Sequence, residues 1–255
     1  MSELLNTETL QDFLEDKYRK FNSPEFVAND PILVPHQFSS KEDVEISGLI
    51  SATIAWGQRK SIIKNALSFM DLMDNAPYDF VMNHTLGDLI RFEKAVHRTF
   101  NGQDLSFFII SIRNIYSNHN GLESVFYSDQ GVYNGLAKFY KIFFSISHDN
   151  RTRRQVANVE TGSAAKRLNM YLRWMVRKDK CGVDFGIWNK YSPVDLHIPL
   201  DVHSGRVARM LGLLNRTQND WKAVCELTEA LRKFDPVDPV KYDFALFGVG
   251  VNEDF

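Results

Sequence analysis

The sequence predicts an all-α protein. Apolar residues recur at three- and four-residue intervals through most of the 255-residue chain, cap-forming residues stand where those segments begin, and no paired alternating runs suggest strands. A first acidic helix is expected over Thr7 to Phe21, followed by a connection punctuated by Pro24, Pro31 and Pro35. Ser40-Lys41-Glu42-Asp43 reads as a helix start, with a hydroxyl N-cap and a carboxylate three residues on. The helix that follows places Ile46, Leu49, Ile50, Thr53 and Ile54 on a buried face, and a second spans Ser61 to Met73. Leu105 to His148 also reads as helical, although Phe107–Ile112 has local strand character.

Beyond that stretch, a helix is expected at about Ala164 to Lys178. Leu168, Tyr171, Leu172 and Met175 form its inward stripe, and Lys166, Met170, Arg173 and Arg177 lie towards the other side. A Gly/Pro-interrupted loop from Lys180 to Pro199 leads to helices over Val202–Leu213, Asp220–Phe234 and Pro239 to about Val249. Asp238 is expected to cap the last of these, with Pro239 at its first position. Trp174 and Trp188 read as packing residues, and Glu15-Asp16 as solvated surface.

Composition narrows the function classes. With 44% hydrophobic and 13% aromatic residues, the chain can bury the core of one large domain or two intimate lobes. The acidic N-terminus lacks a basic start with an apolar run, and no segment has the length of a membrane span, so a cytoplasmic protein with no membrane partner is expected. Cys181 and Cys225 are the only cysteines, which excludes a disulfide framework and a four-cysteine iron–sulfur or zinc site within the chain. The chemistry is therefore expected to need neither metal nor cofactor. Net charge is only −2, yet Arg151 to Lys180 holds nine basic residues against Glu160 and Asp179. That asymmetry suggests a focused anion-binding surface on an acidic body.

Two segments carry chemical signals. In TGSAAKRLNMYLRWMVR, Gly162 supplies a turn and Lys166 falls in the opening turn of a helix, where free backbone N–H groups favour phosphate. The positive helix end and Arg167 both favour the neutral, nucleophilic form of that lysine. In HIPLDVHSGRVARMLGLL, Asp201 is expected at an N-cap, a position that holds a carboxylate rigidly and lets it stabilise a developing cation nearby. Each residue alone has an ordinary explanation, as a surface lysine and a helix cap.

Gly162-Ser163-Ala164-Ala165-Lys166 resembles the Gly-x-Gly-x-Lys hairpin of the helix-hairpin-helix DNA glycosylases, and Pro199-Leu200-Asp201-Val202-His203 resembles the Pro-Val-Asp-Val-His segment of 8-oxoguanine glycosylases. The closing VKYDFALFGVG is similar to a helix of the archaeal 8-oxoguanine glycosylase branch, with Asp243 and Phe247 at its base-pocket Asp and Trp positions. Met170 takes the place of a pocket Phe, and Gln58, in ISATIAWGQRK, that of a Gln presented to the extruded base or the opposite strand. The chain also resembles an uncharacterised bacterial family with LNMYLRWMVR and IPLDVH signatures. Ala164 departs from the second hairpin glycine, and Phe247 and Met170 change the stacking surface.

These resemblances imply a two-lobed helix-hairpin-helix glycosylase fold with a cleft between lobes, approximately 44–178 forming one lobe and 1–43 with 179–255 the other. They imply a monomeric base-excision repair enzyme acting on double-stranded DNA that contains a damaged base. It would be a bifunctional glycosylase and AP lyase for an oxidised purine, 8-oxoguanine above others. Lys166 would be the nucleophile, and Asp201 would stabilise the cationic sugar and help move the amine's proton. Gly162, Ser163, Arg167, Arg173, Arg177 and His203 would hold phosphates. Gln58, Met170, Asp243 and Phe247 would line the base pocket. A catalytically silent DNA-binding module of the same fold is the alternative, and a Schiff-base enzyme for small carbonyl compounds a third class, which should have a strand-based scaffold.

Overall fold

The computed structural model of the chain describes residues 7–252. Its α-helices there are α1 (Thr7–Phe21), α2 (Pro24–Val27), α3 (Lys41–Thr53), α4 (Arg59–Asp71), α5 (Pro77–Asn83), α6 (Gly102–Asn118), α7 (Gly121–Phe126), α8 (Val132–Phe143), α9 (Lys166–Val176), α10 (Val202–Met210), α11 (Trp221–Arg232) and α12 (Asp243–Asn252). Short 3-10 turns fill many of the connections. Regular strands among the described residues are limited to β1 (Val96–His97) and β2 (Phe100–Asn101), an antiparallel two-stranded hairpin that the sequence did not signal. The protein is all-α in class. No described helix is long and apolar enough to cross a membrane.

The described residues fall into two compact units. One joins the segment up to Phe26 with everything from Asn158 onward, and the other is Val27–Ala157. This corrects the division expected at 43/44 and 178/179, because α9 belongs with the segment that follows it. The Trp174 carbonyl accepts the Phe185 amide at 2.8 Å, and the Met175 carbonyl accepts the Trp188 amide at 2.8 Å. Trp174 and Trp188 are both buried, the latter edge-on to Tyr171, in keeping with packing roles.

Within Val27–Ala157, α3 shows how local chemistry sets an element. Ser40 is its N-cap, with Oγ accepting the Asp43 amide at 3.2 Å. Asp43 does not return the favour to the Ser40 amide; its Oδ1 accepts the Tyr78 amide of α5 at 2.9 Å. Ile46, Leu49, Ile50, Thr53 and Ile54 are all buried as the spacing requires. Ser40→Ala is expected to lower stability by about 1 kcal/mol, read as a shifted denaturant midpoint at unchanged slope. An unmoved midpoint would mean that the cap is dispensable.

Phe107–Ile112 lies inside α6, because Asn101 and Asp104 form a reciprocal capping box that starts a helix five residues earlier. Phe107, Phe108, Ile112 and Ile115 are then buried with Phe139 and Phe143 of α8.

In the other unit, α12 packs against α1 and α10. Its glycines permit the approach: a Cβ on Gly248 would lie 2.2 Å from the Phe21 ring, and one on Gly250 would lie 3.0 Å from the His203 carbonyl oxygen. Leu14, Val207, Ala208, Leu227, Leu231, Leu246 and Val249 fill the core between α1, α10, α11 and α12. Two minor expectations need correction here. Glu15 is not simply solvated, since its Oε1 accepts from the Tyr242 hydroxyl at 2.7 Å and pairs with Lys241 at 2.7 Å. Asp238 precedes Pro239 as expected, but its side chain caps nothing and turns to Arg177 instead.

Candidate active site

Lys166 begins α9, and the turn that delivers it is tightly specified. Gly162 takes a left-handed conformation at φ +85°, and Ala165 takes another at φ +46°, unusual for a residue with a Cβ. The strain at Ala165 is held by its surroundings: its amide donates to Ser163 Oγ at 3.2 Å, and its carbonyl accepts the Asn169 amide at 2.9 Å. Asn169 Nδ2 also reaches the Ala164 carbonyl at 3.1 Å, while the Gly162 carbonyl accepts the Trp221 amide at 3.0 Å. Two left-handed positions three residues apart thus build the turn without a glycine at Ala164.

The Lys166 ammonium meets several of the expected partners. Its Nζ lies 3.8 Å from Asp201 Oδ2, 3.4 Å from Met170 Sδ and 5.4 Å from the centre of the Phe247 ring. Both charged side chains are 23% exposed, enough for a substrate to reach them. Asp201 is the N-cap of α10. One oxygen, Oδ1, accepts the His203 and Ser204 amides at 2.9 and 3.0 Å, which leaves Oδ2 for the lysine. Ser204 Oγ accepts the Asp201 amide at 3.0 Å, and Asn219 Nδ2 donates to the Asp201 carbonyl at 2.9 Å. Of these supports, only Ser204 had a sequence signal, as the fourth residue of an Asp-x-x-Ser capping box.

Asp243 opens α12 one turn before Phe247, so the two share a face. It is buried, and Arg173 Nη1 donates to its Oδ2 at 2.5 Å. Burial pushes its carboxyl up to about 6, against the opposing pull of Arg173 and Lys166.

Arg173 and Arg177 are corrected by the structure. They do share a stripe of α9 with Lys166 and Met170, but that stripe turns inward, with Arg173 3% and Arg177 1% exposed. Arg173 Nε contacts Asp184 Oδ1 at 3.3 Å and stacks its guanidinium 4.2 Å from the Phe244 ring centre. Arg177 donates to Asp184 at 3.1 Å, Asp238 at 2.8 Å, the Tyr18 hydroxyl at 2.7 Å, and Asp179. Burial pushes Asp184 and Asp238 up, against the opposing pull of Arg173 and Arg177 on Asp184 and of Arg177 on Asp238. Guanidiniums committed in this way are structural and present no phosphate surface.

The rest of the basic run is divided, and Arg153, Arg154, Lys178 and Lys180 are exposed. Arg151, by contrast, binds Asp104 at 2.9 Å in the other unit. Gly162 and His203 remain exposed, whereas Ser163 and Arg167 are half-buried, with burial lowering Arg167 to about 10. Gln58 belongs to Val27–Ala157, where it is exposed at the N-cap of α4 and makes no side-chain cap. No cluster of three or more His, Cys, Asp or Glu suited to a metal occurs among the described residues.

The described chain is predominantly helical, and its Lys166 and Asp201 meet beside the Phe247 ring. The chain belongs to the family described as "Protein of unknown function (DUF2400)", which it matches over residues 30–252. No curated protein and no solved structure matched it.

Proposed function

We propose that the protein is a DNA base-excision glycosylase with AP lyase activity, acting on an oxidised purine, 8-oxoguanine above others, through a Schiff base at Lys166. The proposal includes the helix-hairpin-helix architecture expected from the sequence. The observation that carries it is the approach of Lys166 Nζ to Asp201 Oδ2 beside Phe247 and Met170. Binding alone would need no such pair.

A duplex hides the glycosidic bond, so the damaged nucleotide must be extruded at a cost of a few kcal/mol. The Gly162 amide is spent on the Val159 carbonyl at 2.9 Å, so the Ser163 amide, with Arg167 and His203, would hold phosphates and carry no sequence information. Lys166, as the neutral amine, attacks the anomeric carbon while the base leaves. Asp201 Oδ2 faces the cationic sugar, its orientation fixed by the amides on Oδ1. The resulting imine permits β-elimination and strand nicking. Phe247 and Met170 offer a stacking wall to the base, and Asp243 a hydrogen-bonding group.

Borohydride trapping on 8-oxoguanine and abasic duplexes tests this reading; a covalent protein–DNA adduct is expected. No adduct, with duplex binding intact in Lys166→Ala, would instead mark a non-catalytic damage-binding module. An absence of DNA binding across a salt titration would end the nucleic-acid reading altogether.

Asp201→Asn separates the residue's two roles. Asparagine caps helices as well as aspartate does, so melting should change by about 0.5 kcal/mol or less. Excision should fall on the order of 10²-fold or more, because the charge opposite the sugar is gone. Equal losses in stability and activity would reduce Asp201 to a cap.

A further inference from the structure

We infer that the segment Asn219-Asp220-Trp221 sets the spacing between Lys166 and Asp201, with Asn219 acting as a positioning residue for the carboxylate. This rests on the reading of that pair as the reacting groups, and it adds the part of the chain that registers one against the other.

The segment touches both halves of the site within one compact unit. On the lysine side, the Trp221 amide donates to the Gly162 carbonyl at 3.0 Å, and Ser163 and Asp220 form an isolated antiparallel bridge. Trp221 is the first residue of α11, where an amide has no acceptor within its own helix, so the Gly162 carbonyl satisfies a donor that the helix leaves over. The turn held in this way is the one that delivers Lys166, three residues after Ser163. On the carboxylate side, Asn219 Nδ2 donates to the Asp201 carbonyl at 2.9 Å. That carbonyl also accepts the Gly205 amide at 3.0 Å, so Asn219 adds a second bond at the point where α10 begins.

Asn219 is itself fixed in orientation. Arg209 Nη2 donates to its Oδ1 at 2.6 Å, and Arg209 Nε donates to the Arg216 carbonyl at 2.8 Å. A guanidinium can only donate, so it claims the amide oxygen and leaves the NH2 group for Asp201. Gly205 provides the room: a Cβ there would lie 2.9 Å from Asn219 Oδ1 and 2.9 Å from Arg209 Nη1. Asp220 is anchored as the N-cap of α11, its Oδ1 accepting the Ala223 amide at 3.1 Å and Arg216 Nε at 2.7 Å.

The direct contact between the reacting groups is weaker than this frame. A single 3.8 Å ion pair between partly exposed side chains contributes too little to decide where two backbone segments lie. The bonds through residues 219–221 decide it instead, and they touch neither Lys166 Nζ nor Asp201 Oδ2. Reacting groups displaced by about 1 Å lose on the order of 10²-fold in rate, so a residue of this kind acts on the chemistry without meeting the substrate.

The test is zero-length carbodiimide coupling of the full chain without DNA, with the isopeptide between Lys166 and Asp201 quantified by mass spectrometry. The unaltered chain should yield it. Asn219→Ala removes both side-chain bonds, and Asn219→Asp keeps the acceptor for Arg209 while turning an oxygen towards the Asp201 carbonyl; each should lower the yield on the order of 10-fold. Ser40→Ala, a cap removed from the other unit, should leave the yield unchanged. A yield unchanged in both Asn219 variants, or lost equally in Ser40→Ala, overturns the proposal. On an 8-oxoguanine duplex, Asn219→Ala should lower kcat on the order of 10-fold at unchanged KM, and a rise in KM alone also overturns it. The glycosylase reading is judged separately. No borohydride adduct in the unaltered chain, beside a coupling yield that depends on Asn219, refutes that reading alone; an adduct beside a yield indifferent to Asn219 refutes the positioning role alone.

Discussion

Lys166→Met is expected to abolish the borohydride-trapped adduct and to cut base excision on the order of 10³-fold or more, with little change in melting. The argument runs from exposure to chemistry. Lys166 is partly exposed, and its ammonium makes one 3.8 Å ion pair, a contact worth roughly 0–1 kcal/mol to folding. Methionine keeps most of the aliphatic stem against Phe247 and Met170, so the fold loses little. The reaction loses its nucleophile, which neither Asp201 nor Asp243 can replace. Gel-based trapping and single-turnover excision check this, with a thermal melt as the control. A variant that still forms the adduct would move the Schiff base to another lysine and dissolve the proposed site.

Arg177→Met is expected to destabilise the protein by about 3–5 kcal/mol. Arg177 is 1% exposed and binds Asp179, Asp184, Asp238 and the Tyr18 hydroxyl. Removing the guanidinium leaves Asp179, Asp184 and Asp238 without the cation they share, while Arg173 still pairs with Asp184. Since burial already pushes Asp184 and Asp238 up, losing their cation pushes them further, and the folded state must then take up protons. The loss should therefore shrink as pH falls and grow as pH rises through the range where the unfolded carboxyls ionise. Urea unfolding at several pH values measures it. Were Arg177 a phosphate contact on the surface, stability would change by no more than about 0.5 kcal/mol, and DNA binding would weaken uniformly. The two outcomes are far apart.

The behaviour of α9 shows what the sequence could and could not reveal. Its period placed Lys166, Met170, Arg173 and Arg177 on one stripe, and they do lie on one. What the period could not decide was which stripe faces water, because burying two arginines takes more acids than Asp179, the one adjoining them, supplies. Asp184 stands in a loop without a motif, and Asp238 and Asp243 lie 61 and 70 residues from their arginines. Charge runs are ordinarily solvated, and here long-range pairing overrode that expectation. The helices themselves were legible for a simpler reason: caps such as Ser40, Asp201 and Asp220 are local, and their hydrogen bonds close within three residues. The Lys166–Asp201 meeting was reached through resemblance, since neither a lysine at a helix start nor an aspartate at an N-cap announces the other across 35 residues. The β1–β2 hairpin passed unnoticed because two residues per strand are too few to show alternation.

The division of labour within the Asp201 carboxylate has a dynamic consequence. One oxygen holds the first turn of α10 and the other faces Lys166, so fraying of that turn and loss of the lysine's partner are a single event. The amide hydrogens of His203 and Ser204 exchange with solvent only when that turn opens, which makes their exchange rates a direct gauge of the time the site spends disarmed. Anything that orders the start of α10, a phosphate bound near His203 included, would lengthen the armed state without touching either reacting group.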